Sequence, residues 1–342
     1  MSSLPNVAPA LADNLSGPIE VGDPDTANGL TVYPLFGPAA ALDYVAFASV
    51  HDQVAITELD GGASVNDLTV KNDSGQPVLL YEGEEILGAQ QNRVLDVSVL
   101  IAAGAKIEIP VSCVERGRWD GRRHRERFRP SPQAADPKMR RLKSKRARMN
   151  ADAGREARAD QAEVWDEVDA RSFEMQTTSR TAAMHDIYEG HRHRLAEIRE
   201  AIGLHEGQCG SVAVIGGRIA ILDLVGRADV YAALHPAIVE GYALDALGQE
   251  RNGGVRRDGA VEDATCRGFT LLALDAPAAN RASGPGLGET VRFAAGGVEG
   301  SALVHEGELV QLTAYPSDAD DEPADPGPRA GRINRPSHRR GR

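Results

Sequence analysis

The chain has 342 residues and a mass of 36.4 kDa, enough for one large domain or two smaller ones. A hydrophobic content of 42% is ordinary, while 36 Gly, 19 Pro and only 4% aromatic residues predict many turns around a core of aliphatic side chains. A formal charge of −12 argues against general nucleic-acid binding, and three scattered cysteines, Cys113, Cys209 and Cys266, argue against a disulfide framework or a sulfur-rich metal site.

Residues 1–28, rich in Pro, Gly, Asn and Asp, read as a loose arm. Residues 29–119 are repeatedly strand-like: Leu30–Leu35, Tyr44–Ala48, Val54–Glu58, Leu68–Lys71, Val78–Tyr81, Arg93–Leu100 and Lys106–Val114. The turn signal Asn72-Asp73-Ser74-Gly75 predicts a hairpin between Leu68–Lys71 and Val78–Tyr81. Alternation puts Ile107, Ile109, Val111 and Cys113 on one face, so Cys113 points inward, and Pro110 suggests an edge strand.

Residues 120–203 begin as a basic, Pro-punctuated connection and continue as helices, Pro137–Arg148 and Glu156–Phe173. A third carries the stripe Met184, Ile187, Tyr188, His191, Leu195, Ile198 and Ile202, ended by Gly203. From Arg116 to Arg148 there are 14 Arg/Lys against three acids, a net of +11 inside an acidic chain. Single-stranded nucleic acid calls for aromatic platforms and only Trp119 and Phe128 are available, so the tract reads as a solvated or self-compensated face, with a small anion or an acidic protein partner as the other readings.

The β pattern resumes over residues 204–316. Ser211–Ile215 and Arg218–Val225 flank Gly216-Gly217, and helices follow at Asp229–Leu234 and Pro236–Leu247. A polar loop, Gly248–Asp263, precedes strands at Phe269–Leu274, Thr290–Phe293, Ser301–His305 and Glu308–Tyr315. Residues 317–342, Asp/Pro-rich and then Arg-rich, read as a disordered tail. The fold class predicted is α+β and β-rich, with two mainly antiparallel β portions separated by a helical insertion. The N-terminus has no basic region leading into an apolar run, and about 18 apolar residues never occur together, which predicts a soluble, cytoplasmic protein with no membrane partner.

Chemistry concentrates between Tyr81-Glu82-Gly83-Glu84-Glu85 and Ser112-Cys113-Val114-Glu115-Arg116-Gly117-Arg118-Trp119. Clustered carboxylates can bind a cation or split their pKa values so that one acts as a base, which makes Glu82, Glu85 and Glu115 the candidate catalytic groups. Arg93 and Arg116 offer paired donors to an anion, with Gln90 and Gln91 beside them. Glu-Gly-Glu recurs at Glu306-Gly307-Glu308, and His305 joins the candidate set if the two turns meet. A solvent-facing turn is the plainer reading of these acids. His185, Glu189 and His193 fall at helical spacing, but Arg192 and Arg194 crowd them and no metal site is predicted. The glycines fit neither a phosphate loop nor a dinucleotide fingerprint, no Gly-x-Ser-x-Gly elbow occurs, and the cofactor, if any, is unknown.

Three segments carry a family resemblance: Leu30-Thr31-Val32-Tyr33-Pro34-Leu35; Tyr81–Trp119 with its Glu82-Gly83-Glu84-Glu85 and Gln90-Gln91-Asn92-Arg93; and Gly300-Ser301-Ala302-Leu303-Val304-His305 with Glu308-Leu309. Over residues 28–316 the chain resembles a bacterial domain family associated by gene context with ADP-ribosylglycohydrolases and rhodanese-like phosphatases. That resemblance implies a link to ADP-ribose, nucleotide or phosphate metabolism and supplies no catalytic residues. The expected function is binding of an anionic small molecule, ADP-ribose-like or nucleotide-derived, with hydrolysis as the chemistry open to it. The alternative is a non-catalytic scaffold that recognises protein or nucleic acid.

Overall fold

The computed structural model describes residues 11–60, 64–119, 126–251, 263–277 and 280–317. The start of the expected arm, part of the basic connection, most of the Gly248–Asp263 loop and the tail after residue 317 lie outside the described residues.

Two mainly antiparallel β portions sandwich a helical layer. The larger is a nine-stranded sheet in the order Glu20–Val21, Leu30–Phe36, Gln208–Ile215, Arg218–Val225, Glu308–Pro316, Val298–His305, Glu289–Ala295 and Asn280–Ser283, with Asp25–Ala27 also paired to Leu30–Phe36. The hairpin expected at Gly216-Gly217 is present, with both glycines at positive φ as its tight turn requires. All eight residues of Gln208–Ile215 are buried because both faces of the sheet are covered. Helix Asp263–Leu274 packs against Val298–His305 and Glu20–Val21 and adds Cys266, Phe269 and Ala273 to the core that also holds Val212, Val214 and Leu222. Helix Ala228–Arg251 contributes Ile238, Val239 and Tyr242 to the core on the other side, with Ala213 and Ile215.

Phe269–Leu274 is therefore helix rather than the expected strand. Its buried positions, Cys266, Phe269, Thr270, Ala273 and Leu274, recur every three or four residues, a period too long to show in a six-residue window. The two helices expected around Pro236 are one, Ala228–Arg251. The internal proline costs about 3 kcal/mol, which burial of the following turns outweighs.

The second β portion is a six-stranded sheet, Arg129–Ala134, Glu84–Leu87, Arg93–Leu95, Lys106–Cys113, Asp67–Asn72 and Val54–Thr57 in spatial order. Beside it lies a three-stranded one, Val99–Ile101, Val78–Leu80 and Val45–Ala46, whose last pair is parallel. The expected Leu68–Lys71/Val78–Tyr81 hairpin does not form. The Asn72 side-chain amide donates to the carbonyls of Gln76, Ile101 and Ala102, while its oxygen accepts from Ser74, so this turn carries the chain from one sheet into the other. Likewise the expected strand Arg93–Leu100 is broken at a buried corner. Asp96 accepts from Ser112 Oγ (2.6 Å) and pairs with Lys143 (2.9 Å), and Ser98 Oγ accepts from the Glu82 N–H (2.9 Å). Tyr44–Ala48 shortens to Val45–Ala46 before a helical turn, Phe47–Val50. Pro110 is not on an edge; it marks where Lys106–Cys113 passes from the Asp67–Asn72 ladder to that of Arg93–Leu95.

Helices Pro137–Asp152, Gln161–Glu174 and Met184–Ala201 form the intervening layer. Asp136 and Asp160 cap the first two, Asp136 accepting the Met139 N–H and Asp160 those of Ala162 and Glu163. The stripe of the third is buried at Met184, Ile187, Tyr188, Leu195 and Ile198. Much of the basic tract is internally spent. Lys138 pairs with Glu167 (2.9 Å), Arg140 with Asp223 (2.7 Å), Lys143 with Asp96 (2.9 Å), and Arg141 and Arg148 both reach Glu299 (3.2 and 3.0 Å). Among the described residues, no helix is long and apolar enough to cross a membrane.

Candidate functional site

Strand register in the large sheet sets up a polar row. Ser211 lies opposite Asp223, Asp223 opposite Thr313, Thr313 opposite Ser301, Ser301 opposite Arg292, and Arg292 opposite Asn280. Directly paired residues share a face, so six polar side chains cross six strands in line. Apolar neighbours such as Leu222, Leu224, Val291 and Phe293 point to the opposite core.

The middle of this row is buried and saturated. Arg140 grips Asp223 with both terminal nitrogens (2.8 and 2.7 Å), and the hydroxyls of Tyr81, Tyr242 and Thr313 donate to the same carboxylate (2.5, 2.5 and 3.1 Å). Burial works against the Asp223 anion, but Arg140 and these donors overcome it and hold the carboxyl below its usual range. Gly83 makes the approach of Arg140 feasible: its φ of +86° suits glycine, and a Cβ there would lie 2.6 Å from the arginine side chain. Glu82 accepts from Ser301 Oγ and from the Tyr315 hydroxyl, both at 3.1 Å. Its carboxyl is raised by burial, against the opposing field of Arg140.

At its far end the row opens into a cleft of about 620 Å³. Arg292, Thr290 and Asn280 form one wall, Asp67 and Glu108 of the second β portion another, and the Gly154–Arg158 turn a third. Arg292 is only 7% exposed. It has no hydrogen bond or ion pair among the described residues, although guanidinium groups buried to this degree are ordinarily paired. Burial lowers its proton affinity, and Glu82 is the first of the charges that oppose this. The cleft therefore presents a desolvated cation with open donors. Among the described residues, no group of three or more His, Cys, Asp or Glu is placed to hold a metal ion.

The residues singled out from sequence fall into separate settings. Gln90, Gln91, Arg93, Glu115 and Arg116 do come together, but their hydrogen bonds go to protein partners inside and outside the set. Arg93 Nη1 donates to the Gln91 carbonyl (2.9 Å), Gln91 Nε2 to the Arg116 carbonyl (3.1 Å), and the Gln90 N–H to Glu58 (3.3 Å). Glu115 accepts from Arg118 and Thr181 (2.8 and 2.9 Å), while the Arg116 guanidinium pairs with Asp169 at the surface (2.9 Å). Cys113 is wholly buried, with its thiol 3.1 Å from Gln91 Oε1 and its pKa raised by that burial.

Glu85 stands elsewhere, accepting from Ser131 (2.8 Å) and Gln133 (2.5 Å) with His185 at 3.6 Å. Burial raises its carboxyl. His305 sits at the Glu306-Gly307-Glu308 turn, near Glu306 (3.8 Å). Glu82 meets the same hairpin at Ser301 and Tyr315, toward its opposite end, so the two Glu-Gly-Glu turns do not meet.

Sequence reasoning missed Arg140, Asp223 and Arg292. The signal was present for two of them: Asp223 interrupts Ile221-Leu222-Asp223-Leu224-Val225, and Arg292 sits between Val291 and Phe293. A charge inside an apolar strand needs a distant partner or a ligand.

The fold and site together define a mixed α+β protein whose β portions are joined by a buried polar row ending in an arginine cleft. The chain belongs to the ARPP-1 family, described as the ARG and Rhodanese-Phosphatase-superfamily-associated Protein domain, whose model matches residues 18–315. No curated protein and no solved structure matches the chain.

Proposed function

We propose that the protein binds an anionic small molecule, ADP-ribose-like or nucleotide-derived, in the cleft between the β portions, with Arg292 as the principal anion ligand. The buried guanidinium, which has no hydrogen-bond or ion-pair partner among the described residues, carries this reading, since an anion would satisfy its donors and offset the cost of its burial. Family membership beside ADP-ribosylglycohydrolases and rhodanese-like phosphatases supports the same ligand class. Of the carboxyl groups proposed from sequence, Glu82 acts most directly on Arg292 and is the one to examine for hydrolysis.

The test is calorimetric titration with ADP-ribose, NAD and nucleotides at about 0.15 M salt. Arg292→Gln is expected to weaken binding at least about tenfold, the scale of one charge-assisted contact, while Arg116→Ala, whose guanidinium already pairs with Asp169, retains it. Absence of binding by the intact protein, or equal binding by Arg292→Gln, would refute the proposal.

A further inference from the structure

We infer that the cleft takes a ligand with two adjacent phosphates, an organic diphosphate rather than a monophosphate, with Arg155 holding the second phosphate. The inference rests on the Arg292 reading and adds a second cation on another wall.

The Gly154–Arg158 turn is braced by Asn150. The Asn150 carbonyl accepts the Arg155 N–H (2.8 Å), its side-chain amide donates to the Arg158 carbonyl (2.9 Å), and its side-chain oxygen accepts from Arg155 Nε (3.0 Å). That last contact orients the guanidinium and leaves its terminal nitrogens without a hydrogen-bond or ion-pair partner among the described residues. Arg158 cannot play this part, because Asp67 and Glu156 each pair with it at 2.6 Å. The Asp67 contact also pins the turn against the strand Asp67–Asn72.

The same cleft is thus lined by two arginines with open donors, one buried at the end of the polar row and one exposed on the Gly154–Arg158 turn, and its volume of about 620 Å³ suits a small-molecule ligand. A single phosphate on Arg292 leaves Arg155 in solvent. A second phosphate engages it, and the Thr290 hydroxyl and Asn280 amide on the Arg292 wall add neutral donors to phosphate oxygens.

Calorimetric titration of inorganic phosphate, pyrophosphate, AMP and ADP, without divalent cations, separates the cases. ADP is expected to bind about tenfold more tightly than AMP, and pyrophosphate more tightly than phosphate by a similar factor. Arg155→Gln is expected to erase both preferences while leaving the monophosphates unchanged, and Asn150→Ala to reduce them. Equal affinity for AMP and ADP in the intact protein, or a preference that survives Arg155→Gln, overturns the inference and leaves the Arg292 site standing. If none of the four binds, the inference falls, and the Arg292 site is decided by the titration with ADP-ribose and NAD.

Discussion

Glu84 shows how strongly position within the fold controls a carboxyl group. Burial raises its pKa from 4.5 to about 7, and the hydrogen bond from the Tyr81 N–H opposes this only in part. A carboxyl raised on folding binds its proton more tightly in the native state. Its stabilising contribution is therefore complete below about pH 4.5 and is lost as pH rises through about 7, a change of about 3 kcal/mol. Glu84→Gln should remove that component, so the stability difference between variant and parent should grow in the variant's favour between those pH values in urea titrations. A constant difference would sink the assignment. Asp223 behaves in the opposite sense. Asp223→Asn leaves Arg140 buried beside a neutral amide and is expected to cost about 3–5 kcal/mol, measurable as a fall in the denaturant midpoint.

Among the elements, helix Ala228–Arg251 is constrained at Gly241. An added Cβ would lie 3.0 Å from the carbonyl oxygens of Ala134 and Ala135. Alanine in a helix interior ordinarily gains about 1 kcal/mol over glycine, but overpacking costs about 1–3 kcal/mol, and the obstructing atoms here are backbone at and just past the end of a paired strand. Gly241→Ala should therefore destabilise the protein, and chemical unfolding that shows a gain would contradict the close packing. The basic helix Pro137–Asp152 follows the same logic of contact. Its lysines and arginines fasten it to Glu167, Asp223, Asp96 and Glu299, so its charge belongs largely to the joint between layers.

For the whole molecule, the decisive connection is long-range. Leu30–Phe36 enters the chain early but pairs with Gln208–Ile215, while Tyr81 and Glu82 of the second β portion donate to or accept from Asp223, Ser301 and Tyr315 of the large sheet. A fragment spanning residues 29–119 lacks the partner strand and leaves Glu82 without its donors. Expressed alone, it should show no cooperative thermal transition by circular dichroism, whereas the full chain should unfold with both β portions coupled. An independently cooperative fragment would show that the polar row does not bind the two together.

The β-rich α+β class, the helical layer between two β portions, the buried face of Met184–Ala201 and the inward direction of Cys113 could all be read from local pattern, because each follows from periodicity over a few neighbouring residues. The sequence also placed Glu82 at a polar centre, though with the wrong company. Which strands pair, how Asn72 turns the chain between sheets, how Arg140 reaches Asp223 and how Arg292 comes to be open at the cleft emerge once the chain has folded. Those facts depend on groups tens to hundreds of residues apart, and a local pattern can require that a buried charge find a partner without naming which one.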